Sequence, residues 1–322
     1  MVADDDLLAR IAWLYYIEEL TQKEIAQRFH MSRVKVTRLL KRAREKGLVE
    51  IRIAEVHTSH LPLERSLRGE FDLTDALVIP TPVRPKDLRP ALGKAAATYL
   101  NRVLQPGMLV GLGMGRTLSE IPNYIEPQQN GICHFVEMVG GIGRGLGFDS
   151  YRVSSLLADC CGGEVEHVYT PVIVETAAAR QTLLDDPQIR TVLDRAATSD
   201  LALVSVGTVD LDSFLFQAGY ASEAGIEAFQ DQGAVGDVLG HLFDSHGQLV
   251  PNAIEDRLIG LSLEEFRRIR KVICVAGGPP KVPSILGALH GGYVDVLITD
   301  KDTAHSILGE IEGGSRSAEV GG

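Results

Sequence analysis

From about Leu61 onward, short runs rich in aliphatic and β-branched residues alternate with longer amphipathic stretches. This alternation is typical of βαβ units, whose strands lie parallel in one sheet with helices on its faces. Strands are predicted at 76–79, 108–112, 132–138, 165–169, 201–206, 272–276 and 294–299. Helices are predicted at 88–104, 116–124, 151–161, 175–184, 187–197, 221–230, 262–270, 282–290 and 301–308. We therefore expect a large α/β domain with a mostly parallel sheet.

The N-terminal segment has a helical periodicity instead. A first helix is predicted over 5–19, and Thr21 with Glu24 three residues later has the spacing of a capping box that starts a second. Ser32 caps a third helix that runs to about Lys46, with apolar positions at Val34, Val36, Leu39, Leu40 and Ala43. The residues after it, 48–53, alternate like the short strand of a wing. This order predicts a small, helical, winged helix-turn-helix domain.

The second helix of such a motif lies in the major groove of DNA, with its first residues near the base edges. The residue in the turn between the helices is commonly glycine, because a left-handed backbone is needed there, and here it is His30. Further along the helix, phosphate contacts are expected. The residues expected to contact DNA are Thr21, Gln22, Ser32, Arg33, Lys35, Val36, Thr37, Arg38, Lys41 and Arg42.

Charge is distributed unevenly along the chain. Between Thr21 and Arg52 there are ten basic and three acidic residues, a local net charge of +7, although the whole chain of 322 residues has −11. The remainder therefore has −18. This asymmetry favours a small anion-binding module joined to an acidic body that nucleic acid would avoid. The alternative is a solvated helix face or a purely structural three-helix cap.

Glycine-rich segments follow four of the predicted strands, at 111–117, 139–145, 206–210 and 276–281. In parallel sheets, ligands bind beyond the carboxyl ends of the strands, and such loops offer backbone N–H groups to a phosphate. Each loop alone is more often only a tight turn. Together they favour a small anionic or polyhydroxylated ligand, contacted by Arg116, Thr117, Gly141 and Lys281. Further polar candidates are Asp149, Arg152 and Asp237, the last of which has an alternative interpretation as a charge at a helix N-terminus.

Several other sites are not supported by the spacing. The segment GLGMG resembles a dinucleotide fingerprint, but Arg116 stands where that fingerprint has glycine. A Walker loop is not formed, because Val282 rather than Ser or Thr follows Lys281. His241 and His246 are interpreted as ordinary loop and surface histidines rather than as metal ligands. We expect no cofactor, no metal and no catalytic residue.

The remaining features concern the compartment and the domain limits. The chain has no apolar stretch long enough for a membrane span, it begins with the acidic run Asp4–Asp6, and its four cysteines lack CxxC spacing. We therefore expect a cytoplasmic protein without a membrane partner. The expected divisions are a DNA-binding domain at 1–56, a linker helix at 57–73, a ligand-binding domain at 74–308 and a disordered tail at 309–322.

The order of four segments resembles the SorC/DeoR-type sugar-responsive transcriptional regulators over about residues 7–308. These segments are LTQKEIAQRFHMSRVKVTRLLKRAREKGLVEIRI, GLGMGRT, AVGDVLGHLFDSHG and CVAGGPPKVPSILGALHGGYVDVLITD. The resemblance implies an effector domain with the fold of sugar-phosphate isomerases and deaminases, assembled as dimers or tetramers on two-fold operators. It also implies a phosphate loop of Gly113, Gly115, Arg116 and Thr117, a hydroxyl-reading carboxylate at Asp237 and a basic residue at Lys281.

We therefore expect a regulator, more specifically a repressor, of a carbohydrate or polyol operon. Its expected partners are double-stranded operator DNA, a second copy of the chain, and a sugar, sugar-phosphate or polyol effector. The family's pattern differs here at Val139 and at Asp149–Arg152, which leaves the effector open. The alternatives are a sugar-phosphate isomerase or deaminase, with Asp237 or Glu137 as general base, and a scaffolding protein.

Overall fold

The computed structural model describes residues 2–18, 20–45, 48–49, 60–126, 133–142 and 150–319. Contacts between residues divide the chain into two compact units, Met1–Ser59 and His60–Gly322. Most of the strand predicted at 48–53 and residue Asp149 lie outside the described residues. Among the described residues, no helix is both long enough and apolar enough to cross a membrane.

The described residues of the first unit form three helices, α1 (Val2–Tyr16), α2 (Gln22–Arg28) and α3 (Arg33–Glu45). The capping box at Thr21 and Glu24 is confirmed, because the Glu24 N–H donates to the Thr21 hydroxyl oxygen and the Thr21 N–H donates to the Glu24 carboxylate. His30 adopts the left-handed backbone conformation expected of the turn, with φ of 46°. One apolar face from each helix forms the core, which includes Leu8, Ile11, Ile25, Val36, Leu40 and Ala43.

The second unit alternates strands and helices as predicted. Its helices are α4 (Leu61–Phe71), α5 (Leu88–Val103), α6 (Ser150–Cys160), α7 (Ala177–Leu184), α8 (Pro187–Ala196), α9 (Phe214–Gln217), α10 (Glu223–Asp231), α11 (Leu263–Phe266), α12 (Val282–His290) and α13 (Lys301–Glu319). Its strands are β1 (Asp75–Ile79), β2 (Leu109–Leu112), β3 (His134–Glu137), β4 (Glu164–Glu166), β5 (Leu201–Val204), β6 (Val206–Thr208), β7 (Gly236–Val238), β8 (His241–Phe243), β9 (Val272–Val275) and β10 (Val296–Asp300).

Seven strands form one sheet in the order β1-β10-β9-β5-β2-β3-β4, and every neighbouring pair is parallel. Successive side chains of a strand point to opposite faces, so strand β5 contributes Leu201 and Leu203 to one apolar cluster and Ala202 and Val204 to another. Helices α5 and α6 cover the first face. Because both faces are buried, the strands are apolar throughout, as parallel sheets require.

The direction in which successive strands are added to this sheet reverses between β2 and β5. Strands β2, β3 and β4 follow one another toward one edge, whereas β5, β9 and β10 follow one another toward the other. The loops that follow β2 and β5 therefore diverge at the carboxyl ends of these two strands and leave a crevice between them. Such a switch point is where open parallel sheets bind their ligands.

A second, antiparallel sheet of strands β6, β7 and β8 was not predicted. Each of its strands has only three residues, and glycines interrupt the alternation, so the sequence gives a weak signal there. Two other predictions also differ from the structure. The helix predicted at 116–124 is a 3₁₀ helix at Leu118–Asn123, and helix α13 continues to Glu319, so 309–319 is helical where we expected disorder.

The helix predicted as part of a linker, α4, packs within the second unit. Leu67 on this helix is fully buried in the core of that unit, and the Glu64 carboxylate accepts a hydrogen bond from the Val78 backbone N–H at 2.9 Å. The contacts of α4 therefore make it part of the α/β body.

Candidate functional site

The exposed face of α3 contains most of the residues expected to contact DNA. Ser32 precedes the helix and accepts a hydrogen bond from the Lys35 backbone N–H at 3.2 Å. The Thr37 hydroxyl donates to the Gln22 side-chain oxygen at 2.8 Å and so joins two of the predicted contacts across α2 and α3. The exposed side chains of α3 among these residues are Arg33, Lys35, Thr37, Arg38, Lys41 and Arg42.

One residue of that prediction is wrong. Val36 is fully buried between the helices, so its side chain packs in the core and cannot reach a base. Val34, which the apolar pattern placed inside, is instead 78% exposed. The two positions are about 200° apart around a helix, and only one of them can face the core. The sequence pattern alone did not decide which.

A cleft of about 620 Å³, including its open mouth, lies at the switch point of the large sheet. Its wall brings together the loop after β2, the start of β6, the β7–β8 hairpin and the residue before α12. The predicted residues on this wall are Gly115, Arg116, Asp237 and Lys281. The structure therefore assembles, from distant parts of the chain, two cations and one carboxylate that the sequence singled out separately.

Asp237 lies in strand β7 at the inner end of the cleft, not at a helix N-terminus. The turn between β7 and β8 consists of Leu239 and Gly240, and the Gly240 N–H donates to Asp237 Oδ2 at 3.1 Å. Asp237 Oδ1 has no hydrogen-bond partner within the described residues. A Cβ at Gly207 would lie 1.8 Å from Oδ1, so only glycine in the VGTVD segment leaves room for this carboxylate.

Burial raises the pKa of Asp237 to about 6, and Gly240, Lys281 and His241 oppose that rise. A buried carboxylate with one unbonded oxygen is costly unless a donor reaches it. Such an oxygen suits the hydroxyl of a sugar or polyol.

Lys281 lies at the 3₁₀ turn that precedes α12. Its ammonium donates to the Val206 carbonyl oxygen and lies 3.4 Å from Ser205 Oγ. Burial lowers the pKa of Lys281, as do the nearby charges of Arg89 and Arg116, whereas Cys274 and Asp237 raise it. The ammonium is thus held by neutral oxygens at the edge of the cleft, beside two further cations.

The loop before Lys281 is anchored by a residue that the sequence analysis missed. The buried Asp300 carboxylate accepts hydrogen bonds from the Gly278 N–H, the Thr81 hydroxyl and the Thr303 hydroxyl and N–H. Asp300 ends strand β10, next to β9, from which the loop departs. This network fixes where the chain turns toward Lys281.

Arg116 is the second cation of the cleft. Its guanidinium donates to the Asp212 carbonyl oxygen at 2.8 Å and lies 3.8 Å from the Asp212 carboxylate. Gly115, with φ of 151°, lets the chain place Arg116 there. Arg89, at the start of α5, lowers the pKa of Lys281, and burial and the charge of Arg116 lower the pKa of Arg89 itself. Two cations therefore line the cleft, and the charge of Arg89 acts on one of them.

Other predicted residues do not line this cleft. Gly113 continues the β2–β5 ladder, with its N–H donating to the Leu203 carbonyl oxygen, and Thr117 is buried. Gly141 packs against the Tyr151 ring, and its neighbour Ile142 lines the cleft instead. Arg152 is exposed on α6. These residues either support the loops or lie elsewhere, and their role in binding stays a prediction.

Several residues on the cleft wall were not predicted from the sequence. Ser205 follows β5, Val206 begins β6, and Asp212, Ser213 and Phe214 also line the cleft. The glycine-rich segment at 206–210 was the available signal, because it lies at the predicted strand end, but it did not indicate which side chains face the cleft. Arg89 does not line the cleft, but its charge acts on Lys281, and no sequence motif surrounds it.

One buried and one half-buried histidine have structural partners. His241 was interpreted as a loop or surface residue but lies buried in β8, with Nδ1 2.9 Å from Glu255 Oε1 and Nε2 2.7 Å from the Leu261 carbonyl oxygen. His167 Nδ1 lies 3.1 Å from the buried carboxylate of Glu137. Glu137 also accepts from the Ser154 hydroxyl at 2.7 Å and the Val168 N–H at 3.2 Å. Glu137 is therefore fully engaged in holding β3, α6 and the segment after β4 together.

The raised pKa of Asp237 predicts a pH-dependent stability. The folded protein keeps a proton on Asp237 between about pH 4 and 6, where the unfolded chain has released it. The carboxyl therefore destabilises the fold increasingly as pH rises through that window, by about 3 kcal/mol at most. We expect the melting temperature of Asp237→Asn, relative to that of the unchanged protein, to be higher at pH 7.5 than at pH 5. Thermal unfolding at both pH values measures this, and a pH-independent difference contradicts it.

Comparison with known proteins agrees with this architecture. Residues 56–309 match the family model described as "Putative sugar-binding domain", and residues 11–57 match one described as the MarR family. The first match covers the unit that contains the cleft. The second covers most of the three-helix unit.

Relatives extend over nearly the whole chain. The transcriptional regulator LsrR of Escherichia coli K12 is 34% identical over 95% of this chain and 96% of its own. The erythritol catabolism regulatory protein EryD of Brucella abortus is 32% identical over 97% and 99%. The full-length sorbitol operon regulator SorC of Klebsiella pneumoniae has a TM-score of 0.74, with 27% identity over 94% of this chain and 98% of its own. The chain therefore belongs to the SorC/DeoR-type family of transcriptional regulators, in which a helix-turn-helix precedes a sugar-binding domain.

Proposed function

We propose that this regulator controls a carbohydrate or polyol operon as a repressor, and that a small phosphorylated sugar or polyol sets its affinity for operator DNA. The observation that carries the proposal is the convergence of Arg116 and Lys281 with the buried carboxylate of Asp237 in one cleft, where the charge of Arg89 also acts on Lys281. Relatives named for erythritol catabolism and for a sorbitol operon support an effector of this class.

The cleft offers complementary groups for the two ends of such a molecule. A phosphate carries close to two negative charges at neutral pH and is best held by guanidinium and ammonium groups. Arg116 and Lys281 would hold it, and Arg89 adds a third positive charge. The unpartnered Asp237 Oδ1 would accept a hydrogen bond from a hydroxyl of the carbon chain. A free polyol would satisfy Asp237 but would bring no anion to the cations of the cleft.

Effector control requires that the effector bind the DNA-competent and the DNA-incompetent states with different affinity, and its effect cannot exceed that difference. Helix-turn-helix proteins read two half-sites as two-fold dimers, because operator symmetry matches protein symmetry. We therefore propose that the active form is an oligomer of this chain, at least a dimer, on a palindromic operator.

The proposal is tested in two steps. Duplexes that bind the full-length protein are first selected from a random DNA library. The protein is then screened by thermal unfolding with pentose, hexose and polyol phosphates and with their unphosphorylated forms, since a ligand that binds only the folded state raises the melting temperature. We expect phosphorylated compounds to raise it and to release the selected duplex.

Each outcome of these steps has a definite meaning. Stabilisation by the unphosphorylated compounds alone would overturn the phosphate assignment. Failure to select any duplex would overturn DNA binding. Turnover of a sugar phosphate would favour the isomerase or deaminase alternative, which the names of the relatives and the structural engagement of Glu137 do not support.

A further inference from the structure

Val34 lies in the middle of the outward face of α3. The buried side chains of this helix are Val36, Leu39, Leu40 and Ala43. Because successive residues turn by about 100° around a helix, Val34 lies about 180° from Ala43, directly opposite the core. Its exposed fraction of 78% agrees with that position.

The neighbours of Val34 on this face are polar. Arg38 and Lys41 lie within about 40° of it, one turn and two turns further along, and Arg33 and Lys35 flank it in sequence. Among residues 33–43, Val34 is the one apolar side chain on the outward face. A lone exposed valine is unremarkable on most surfaces. Here it occupies the centre of the surface that the helix-turn-helix offers to its partner.

DNA presents one apolar group in its major groove, the C5-methyl group of thymine. Residues near the start of a recognition helix reach the base edges, and Val34 is the second residue of α3. Resting on the proposed function, we propose that the Val34 side chain packs against the methyl group of a thymine in each operator half-site and thereby selects T·A at that position. Arg33 and Lys35 then hydrogen-bond to neighbouring base edges or phosphates.

The surrounding charge favours DNA over a protein partner on this face. A second protein would remove Arg38 from water and would have to supply an anion for it. A duplex supplies phosphates at regular spacing, and binding releases their counterions. One apolar side chain surrounded by cations therefore fits the major groove, where the base edges form the floor and the phosphates lie along both sides.

The test combines one protein change with one DNA change. In a duplex selected from the random library, each thymine is replaced in turn by deoxyuridine, which lacks only the methyl group. Affinities of the full-length protein and of Val34→Ala are measured for each duplex by fluorescence anisotropy. We expect Val34→Ala to weaken binding to the thymine duplex about threefold to tenfold, and removal of one thymine methyl to weaken the unchanged protein similarly. The two losses should not add, because both remove the same contact.

Matched controls separate the possible outcomes. Val83 is fully exposed in the other unit, so Val83→Ala should leave all affinities unchanged. Because Val34 is exposed and alanine favours helix, Val34→Ala should fold normally. Equal weakening of thymine and uracil duplexes by Val34→Ala at every position, or no weakening, would overturn the methyl contact. If no duplex is selected at all, the proposed function fails rather than this inference.

Discussion

Arg33→Ala is expected to lower the affinity for a selected operator duplex about tenfold to hundredfold, and Lys35→Ala to lower it by less. Arg33 is the first residue of α3 and is exposed, so its guanidinium can reach a guanine edge with two hydrogen bonds. Lys35 is also exposed but offers a single point charge. Anisotropy titrations at fixed salt measure both losses.

The salt dependence of binding separates base contacts from phosphate contacts. Lys41→Ala, further along the helix, should weaken binding to all duplexes alike and should reduce the salt slope by about one. Arg270→Ala, exposed in the other unit, serves as the control and should change neither. Unchanged affinity in both Arg33→Ala and Lys35→Ala would contradict the assignment of α3 as the recognition helix. Effector binding should remain intact in all these variants.

Lys281→Met is expected to weaken effector binding at least about thirtyfold and to abolish release of the operator. Its ammonium is held at the cleft by the Val206 carbonyl oxygen and Ser205, so its loss removes one of the two cations that would hold the bound phosphate. Removing one member of a buried charge pair is costly, because the other charge stays buried and unpaired. Calorimetry with the compound that most raises the melting temperature measures the loss.

The matched control for this variant is Lys94→Met, an exposed lysine on α5 that does not line the cleft. It should bind the effector and release DNA normally. Asp237→Asn tests the other end of the ligand. It should weaken binding, because an amide oxygen accepts a hydrogen bond from a hydroxyl less strongly than a carboxylate oxygen does. Wild-type affinity in both Lys281→Met and Asp237→Asn would contradict the site. Operator binding without effector should be unchanged in each variant.

Local signals predicted much of the fold. Thr21 and Glu24 marked the start of α2 because a capping box involves residues only three apart. The strands of the large sheet were found because both of its faces are buried, which makes each strand an apolar run. The α/β class and the helix-turn-helix followed from these patterns.

Tertiary packing decided what short patterns could not. Val34 and Val36 are chemically identical, and only the packing of α1 and α2 against α3 determines which is buried. Asp237 was noticed, but its strand of three residues is defined by pairing with β6 and β8. Arg89 and Asp212 had no motif, because their importance comes from proximity to Arg116 across more than twenty residues of chain.

The sequence by itself determined the class of protein, a basic helix-turn-helix domain joined to an acidic α/β domain. It could do so because charge distribution and hydrophobic periodicity are local properties of the chain. Only the tertiary structure decided how the cleft is composed. The reversal of strand order between β2 and β5 brings Arg116, Asp237 and Lys281 to one place, and burial there raises the pKa of one and lowers that of another. Distance and desolvation are properties of the folded chain, and they decide which of these charges a ligand meets.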